Sequence, residues 1–253
     1  HGRAGWHCRG LRRACDAGCL AWPLRHLAYL FAWPGMDARA FLSGRAPQAP
    51  ALSVWLAALL KTALGGVLFW VVARHAAAQS LLLAGWLGMA GTIFFLHFGL
   101  FHLLALAWQS AGVRAEPIMR TPALAESLGG FWSARWNVAM RDITHGAIFA
   151  PIAKRCDAGT ATLAVFFVSG LIHDLVISVP AGAWHGLPTG YFALQGLGVL
   201  FERSRTGRAL GLRRGLRGRA FALACVAAPA FALFHPAFVL RVFVPFMRAT
   251  GAL

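Results

Sequence analysis

The chain has 253 residues, 58% hydrophobic and 13% charged, with 24 Lys and Arg against 8 Asp and Glu, a formal net charge of +16 and a mean hydropathy of +0.62. Several apolar runs approach or exceed the roughly 20 residues a helix needs to cross a bilayer, which excludes an ordinary water-soluble globule. The excess of arginine would point to nucleic acid in a soluble protein, but here the basic residues gather at the ends and between apolar runs, where they set topology, so no nucleic acid partner is expected.

Residues 1–19 are polar and carry Arg3, Arg9, Arg12 and Arg13, too basic and too interrupted for a signal peptide, and they read as a cytoplasmic tail. Cys8, Cys15 and Cys19 form no C-x-x-C pair and have no histidines at zinc-finger spacing, so neither a metal site nor a disulfide framework is expected. The chain begins at His1 and not at a methionine, which is compatible with a fragment or a processed product and leaves open whether further spans precede it. Residues 20–36, with Pro23, Arg25 and His26, read as an interfacial or partly inserted helix. Residues 37–50, DARAFLSGRAPQAP, read as a loop. A span follows at 51–73, in which Lys61 must snorkel or face the bundle interior. The run at 80–108 is long enough for a tilted helix. Its two histidines, His97 and His102, are five residues apart and do not share a helical face.

After a second loop at 109–130, FWSARWNVAMRD at 131–142 places Trp132, Arg135, Trp136 and Ala139 at i, i+3, i+4 and i+7, which predicts one helix with an aromatic face lying at the membrane interface. Residues 143–152 dip partway into the membrane, with His145 in a loop-like stretch. The strongest remaining span is 159–184, and another covers 187–201. The loop at 203–219 holds Arg203, Arg205, Arg208, Arg213, Arg214, Arg217 and Arg219, and the stretches 220–235 and 236–248 complete the chain. The fold class is therefore an all-α polytopic membrane bundle: a basic tail at 1–19 and a single membrane-embedded domain at 20–253 with about five to seven membrane segments. The positive-inside rule puts the seven-arginine loop in the cytoplasm; counting back from it places FWSARWN on the same side. The implied location is a bacterial inner membrane or its endoplasmic reticulum equivalent.

An ionisable side chain within a segment made for lipid is costly and marks a functional site by default. In FFVSGLIHD, at 166–174, His173 is that side chain, and it falls near the bilayer midplane. A neutral imidazole can accept a proton, as a general base must. Ser169 lies one turn earlier on the same face, whereas Asp174 points about 100° away. A partner for the ring from another segment is needed, and Asn137, with both donors and an acceptor, is the candidate.

FWSARWN followed by FFVSGLIHD resembles the paired signature of the membrane-bound O-acyltransferase superfamily, an aromatic-rich segment ending in Trp-Asn and a later helix with a histidine. More narrowly, WPGMDARAF at 33–41, FHLLALAW at 101–108 and SLGGFWSARWN at 127–137 resemble its wax synthase-like branch. In that branch the residue after the histidine is commonly Glu, and Asp174 departs from it. The resemblance implies a helical bundle around a tunnel, with acyl-CoA as co-substrate, no other cofactor, and a hydrophobic alcohol or lipid acceptor reaching His173 from another side. His173 and Asn137 are then the catalytic pair. Arg135 and Arg141 are candidates for the phosphates of the donor, guanidinium groups suiting them, and Trp132, Trp136, Ser169 and Asp174 complete the candidate substrate-binding set. The leading reading is wax ester synthesis, with a sterol, a diacylglycerol or a cell-surface hydroxyl as alternative acceptors. A proton-relaying transporter would predict two related halves with broken helices, and no such repeat is visible; a non-enzymatic scaffold is the remaining alternative.

Overall fold

The computed structural model describes residues 22–32, 38–43 and 48–253. The tail at 1–19 with its cysteines and most of WPGMDARAF lie outside the described residues. Helices dominate, and among the described residues there is no extended strand. Among the described residues, four helices are long and apolar enough to cross a membrane: α3 (Leu52–Ala77), α4 (Leu81–Ser110), α7 (Ala158–Ala181) and α10 (Gly215–Leu233). Between and around them lie α1 (Trp22–Ala32), α2 (Ala38–Ser43), α5 (128–135), α6 (138–155), α8 (Leu187–Arg203), α9 (Arg205–Ala209) and α11 (236–249). The outer surface is apolar, with residues such as Leu60, Leu175, Val179 and Phe231 more than half exposed. Such a surface is stable against lipid tails and not against water. The protein is a multi-pass membrane protein.

Small residues let the spans approach closely. A Cβ built on Gly65 of α3 would fall 2.2 Å from the Phe95 backbone nitrogen of α4, and one on Gly170 of α7 would fall 2.6 Å from Thr189 Cα of α8. In lipid, where burying apolar surface brings little gain, such backbone proximity is the main source of helix association. Ser80 caps α4 by accepting from Leu83 N–H. Asp157 caps α7 by accepting from Gly159 and Thr160 N–H. The Thr160 hydroxyl and these amides hold the exposed Asp157 carboxyl below its usual range. Its contribution is present above the ordinary carboxylate pKa and is lost only as pH falls through the lowered value.

Of the packing centres among the described residues, two join the spans to the later helices. One joins Phe69 and Ala73 of α3 to Met247 of α11 and Ala252 beyond it. The other gathers Leu128, Phe166, Ile177, Tyr191, Phe192, Val199, Ala222 and Leu233 from α5, α7, α8 and α10. The second carries the site.

Three sequence expectations are corrected. Residues 37–50 are not wholly loop, since Ala38–Ser43 is helical and Phe41, fully buried, packs edge-on against Trp108 at 5.2 Å. Burying the aromatic ring outweighs the turn-forming composition around it. Residues 131–142 are not one helix: Phe131–Arg135 forms a wide π-helical turn, Trp136 is extended, and a new helix starts at Val138. The break is held by Arg120 N–H donating to Arg135 C=O and Val138 N–H to Ile118 C=O, so the preceding loop takes up the freed backbone groups. His145 lies in the helical turn His145–Phe149 within α6 and not in a loop.

Candidate active site

At the end of α5, the chain turns through Asn137 at φ 42°, a left-handed conformation that Asn tolerates because its short amide bonds locally. The Asn137 Oδ1 accepts from Met140 N–H at 3.2 Å and so caps α6. That leaves Nδ2, a double donor, without a hydrogen bond among the described residues. Phe131 and Trp136 stack at 5.5 Å, fixing the turn that presents Asn137. The start of α5 is held from α8: Glu202, 3% exposed, accepts from Leu128 N–H and, at 3.4 Å, from Gly129 N–H. A carboxylate at a helix N-terminus satisfies orphan donors and matches the dipole.

His173 Nδ1 lies 2.7 Å from the Ser169 carbonyl oxygen. A carbonyl only accepts, so Nδ1 carries the proton and the neutral ring holds its lone pair on Nε2. The imidazole packs against Phe192 at 4.3 Å between ring centres. The expected partner from another segment is thus replaced by the backbone one turn back, and no hydrogen bond joins Asn137 to His173.

Both residues line one cavity of about 400 Å³, within the range of small-molecule sites. On α7 its wall is Thr162, Val165, Phe166, Ser169 and His173, a helical stripe about 16 Å long at 1.5 Å per residue. The antiparallel α8 supplies Phe192 beside His173 and, 11 residues further on, Arg203. Along α7 and α8 the cavity is therefore apolar in its middle, with the His173 imidazole towards one end and the Arg203 guanidinium towards the other. Trp132, Trp136, Asn137, Arg141 and His145 close the remaining sides. Trp132 is held by its Nε1–H donating to Gln195 Oε1 at 3.3 Å, and the fully buried Gln195 donates in turn to Cys225 C=O at 2.7 Å.

The other candidates sort by their partners. Arg141 lines the cavity and donates from Nη1 to Ser133 C=O at 3.0 Å. Arg135 does not line it: its Nη1 donates to the carbonyls of Arg120 and Thr121 and to the Thr121 hydroxyl, tying down the preceding loop. Ser169 is in the wall, its hydroxyl donating to Val165 C=O. Asp174 is outside it. Its carboxylate accepts from the Ser178 hydroxyl at 2.9 Å, Gly186 N–H at 2.8 Å, Thr189 N–H at 3.0 Å and the Thr189 hydroxyl. Arg203 reads in the sequence as one of seven topology arginines, and Gln195 and Glu202 as ordinary residues of a span. Nothing in a linear pattern announces that their partners sit in FWSARWN or the segment before it.

The family model for the "Membrane bound O-acyl transferase family" matches residues 115–194, which supply the whole lining of this cavity apart from Val199 and Arg203. Over that stretch the resemblance to the superfamily and to its wax synthase-like branch is borne out. Similar curated proteins include "Probable long-chain-alcohol O-fatty-acyltransferase 2" of Arabidopsis thaliana, 35% identical over 80 residues, 28% of this chain and 23% of that protein. "Probable long-chain-alcohol O-fatty-acyltransferase 8" of the same plant is 33% identical over 104 residues, 37% of this chain and 30% of that protein. The "Long-chain-alcohol O-fatty-acyltransferase" of Simmondsia chinensis is 30% identical over 108 residues, 38% of this chain and 30% of that protein. The chain thus spans less than a third of the length of these relatives.

Proposed function

We propose that the protein is an O-acyltransferase that moves a fatty acyl group from acyl-CoA to the hydroxyl of a long-chain alcohol. The observation that carries this reading is the His173 tautomer: with Nδ1–H donated to Ser169 C=O, the nitrogen left to meet a substrate is a proton acceptor. In this reading Nε2 takes the proton of the acceptor hydroxyl as its oxygen bonds to the thioester carbonyl carbon. The carbonyl oxygen gains charge, and Asn137 Nδ2–H donates to it. Collapse breaks the carbon–sulfur bond, and the departing thiolate recovers the proton from the imidazolium. No covalent enzyme intermediate is formed.

The length of the cavity supports the assignment of its ends. Arg141 and Arg203 suit the phosphates of the donor, while the wall of Val165, Phe166, Phe192 and Val199 suits an acyl chain and an apolar acceptor. The relatives' names favour a long-chain alcohol over a sterol or a diacylglycerol. Membranes carrying the protein, given labelled acyl-CoA and a long-chain alcohol, will form the labelled ester. The His173→Ala variant will lose that activity by about 10²- to 10⁴-fold while staying folded. Undiminished ester formation by that variant would refute the role of His173.

A further inference from the structure

On the side of His173 away from Arg203, a second histidine is built into the fold. His235 is fully buried at the start of α11. Its Nδ1 accepts from Phe238 N–H at 3.2 Å, capping α11. An accepting Nδ1 places the proton of the neutral ring on Nε2, and Nε2 lies 3.3 Å from the hydroxyl oxygen of Ser178, which is also fully buried. With one lone pair of that oxygen engaged, the Ser178 hydroxyl donates to Asp174 Oδ1 at 2.9 Å; the competing Trp184 carbonyl is further off, at 3.4 Å. Asp174 in turn holds Gly186 and Thr189 at the start of α8. Phe192, one helical turn after Thr189, is the ring that packs on His173.

We propose that His235 is a positioning residue for this site. Through Ser178 and Asp174 it fixes the start of α8, and so the Phe192 face against which the His173 ring is set. The proposal rests on the acyltransferase reading for its kinetic consequence but not for its geometry. The link consists of a buried imidazole, a buried hydroxyl, and a carboxylate bonded to the next helix. Polar groups buried this far from water persist where they are mutually satisfied.

Two substitutions break the link, one at its middle and one at its far end, and leave both helix ends capped. Ser178→Ala removes the middle group and keeps the His235 cap on Phe238. His235→Asn keeps a side-chain acceptor for Phe238 N–H, Asn being a preferred cap, but is too short to reach Ser178. In purified protein each single variant will lower kcat about tenfold with KM for acyl-CoA unchanged, and the double variant will fall no further than the singles, as members of one network do. Wild-type kcat in Ser178→Ala, or losses that multiply in the double variant, would overturn the proposal. Should His235→Asn not fold, Ser178→Ala alone decides it. Should the wild type form no ester, the acyltransferase reading falls separately. Nitrogen NMR of the His173 ring then decides the linkage: a changed tautomer ratio in the variants supports it, and an unchanged spectrum overturns it.

Discussion

Asn137 shows how much one residue carries here: its Oδ1 caps α6, its backbone takes the left-handed turn, and it lines the cavity that His173 also lines. The roles separate by substitution. Asn137→Asp keeps the acceptor for Met140 N–H and removes the Nδ2 donor, so thermal stability will be close to wild type while kcat falls by about 10²- to 10³-fold, the loss expected for one oxyanion donor. A thermal melt alongside a steady-state assay checks this, and full activity would mean that Nδ2 does not meet the reacting carbonyl. At this scale much was legible. A histidine in an apolar run is costly enough to stand out, and FWSARWN is unusual in its density of aromatic residues. The partner of the imidazole was not legible, because a backbone carbonyl one turn back leaves no mark in the residue types.

Between elements, α7 and α8 come close where Gly170 meets the backbone at Thr189. Backbone cannot move aside as a flexible side chain would, so Gly170→Ala will push the two helices apart and cost about 1–3 kcal/mol, the usual range for overpacking. Because the displaced helix carries Phe192 and Arg203, activity will fall with stability, as paired melts and assays will show; an unchanged melting point would mean that the helices are not held at this spacing. Positions of the spans were readable from apolar run lengths, and the observed ends of α3, α4 and α7 lie within a few residues of those expected. The wide turns at Phe131–Arg135, His145–Phe149 and Asp174–Ser178, all near the cavity, were not. Such turns insert a residue into the helical ladder in response to neighbours, and they recur at functional sites.

For the whole molecule, the charge distribution makes a topological prediction. Arg205 and Arg208 lie on α9, and Arg217 and Arg219 in the first turns of α10, with Leu210 half exposed between them. If this basic stretch faces the cytoplasm, as the positive-inside rule requires, so does the arginine end of the cavity, where a cytosolic acyl donor would arrive. In a background without native cysteines, Leu210→Cys will react with a membrane-impermeant maleimide in inside-out vesicles and not in intact cells. Labelling of intact cells would invert the topology.

By itself the sequence determined the membrane class, the course of the spans and the two motifs, because run length, polarity and the cost of burying a charge are properties of neighbouring residues along one chain. Tertiary structure decided the rest: the break between Trp136 and Asn137, the turning of Asp174 away from the cavity, the placing of Arg203 in its wall, and the link from His235 to the start of α8. Each depends on neighbours supplied by other elements, and only packing brings such neighbours into contact with one another.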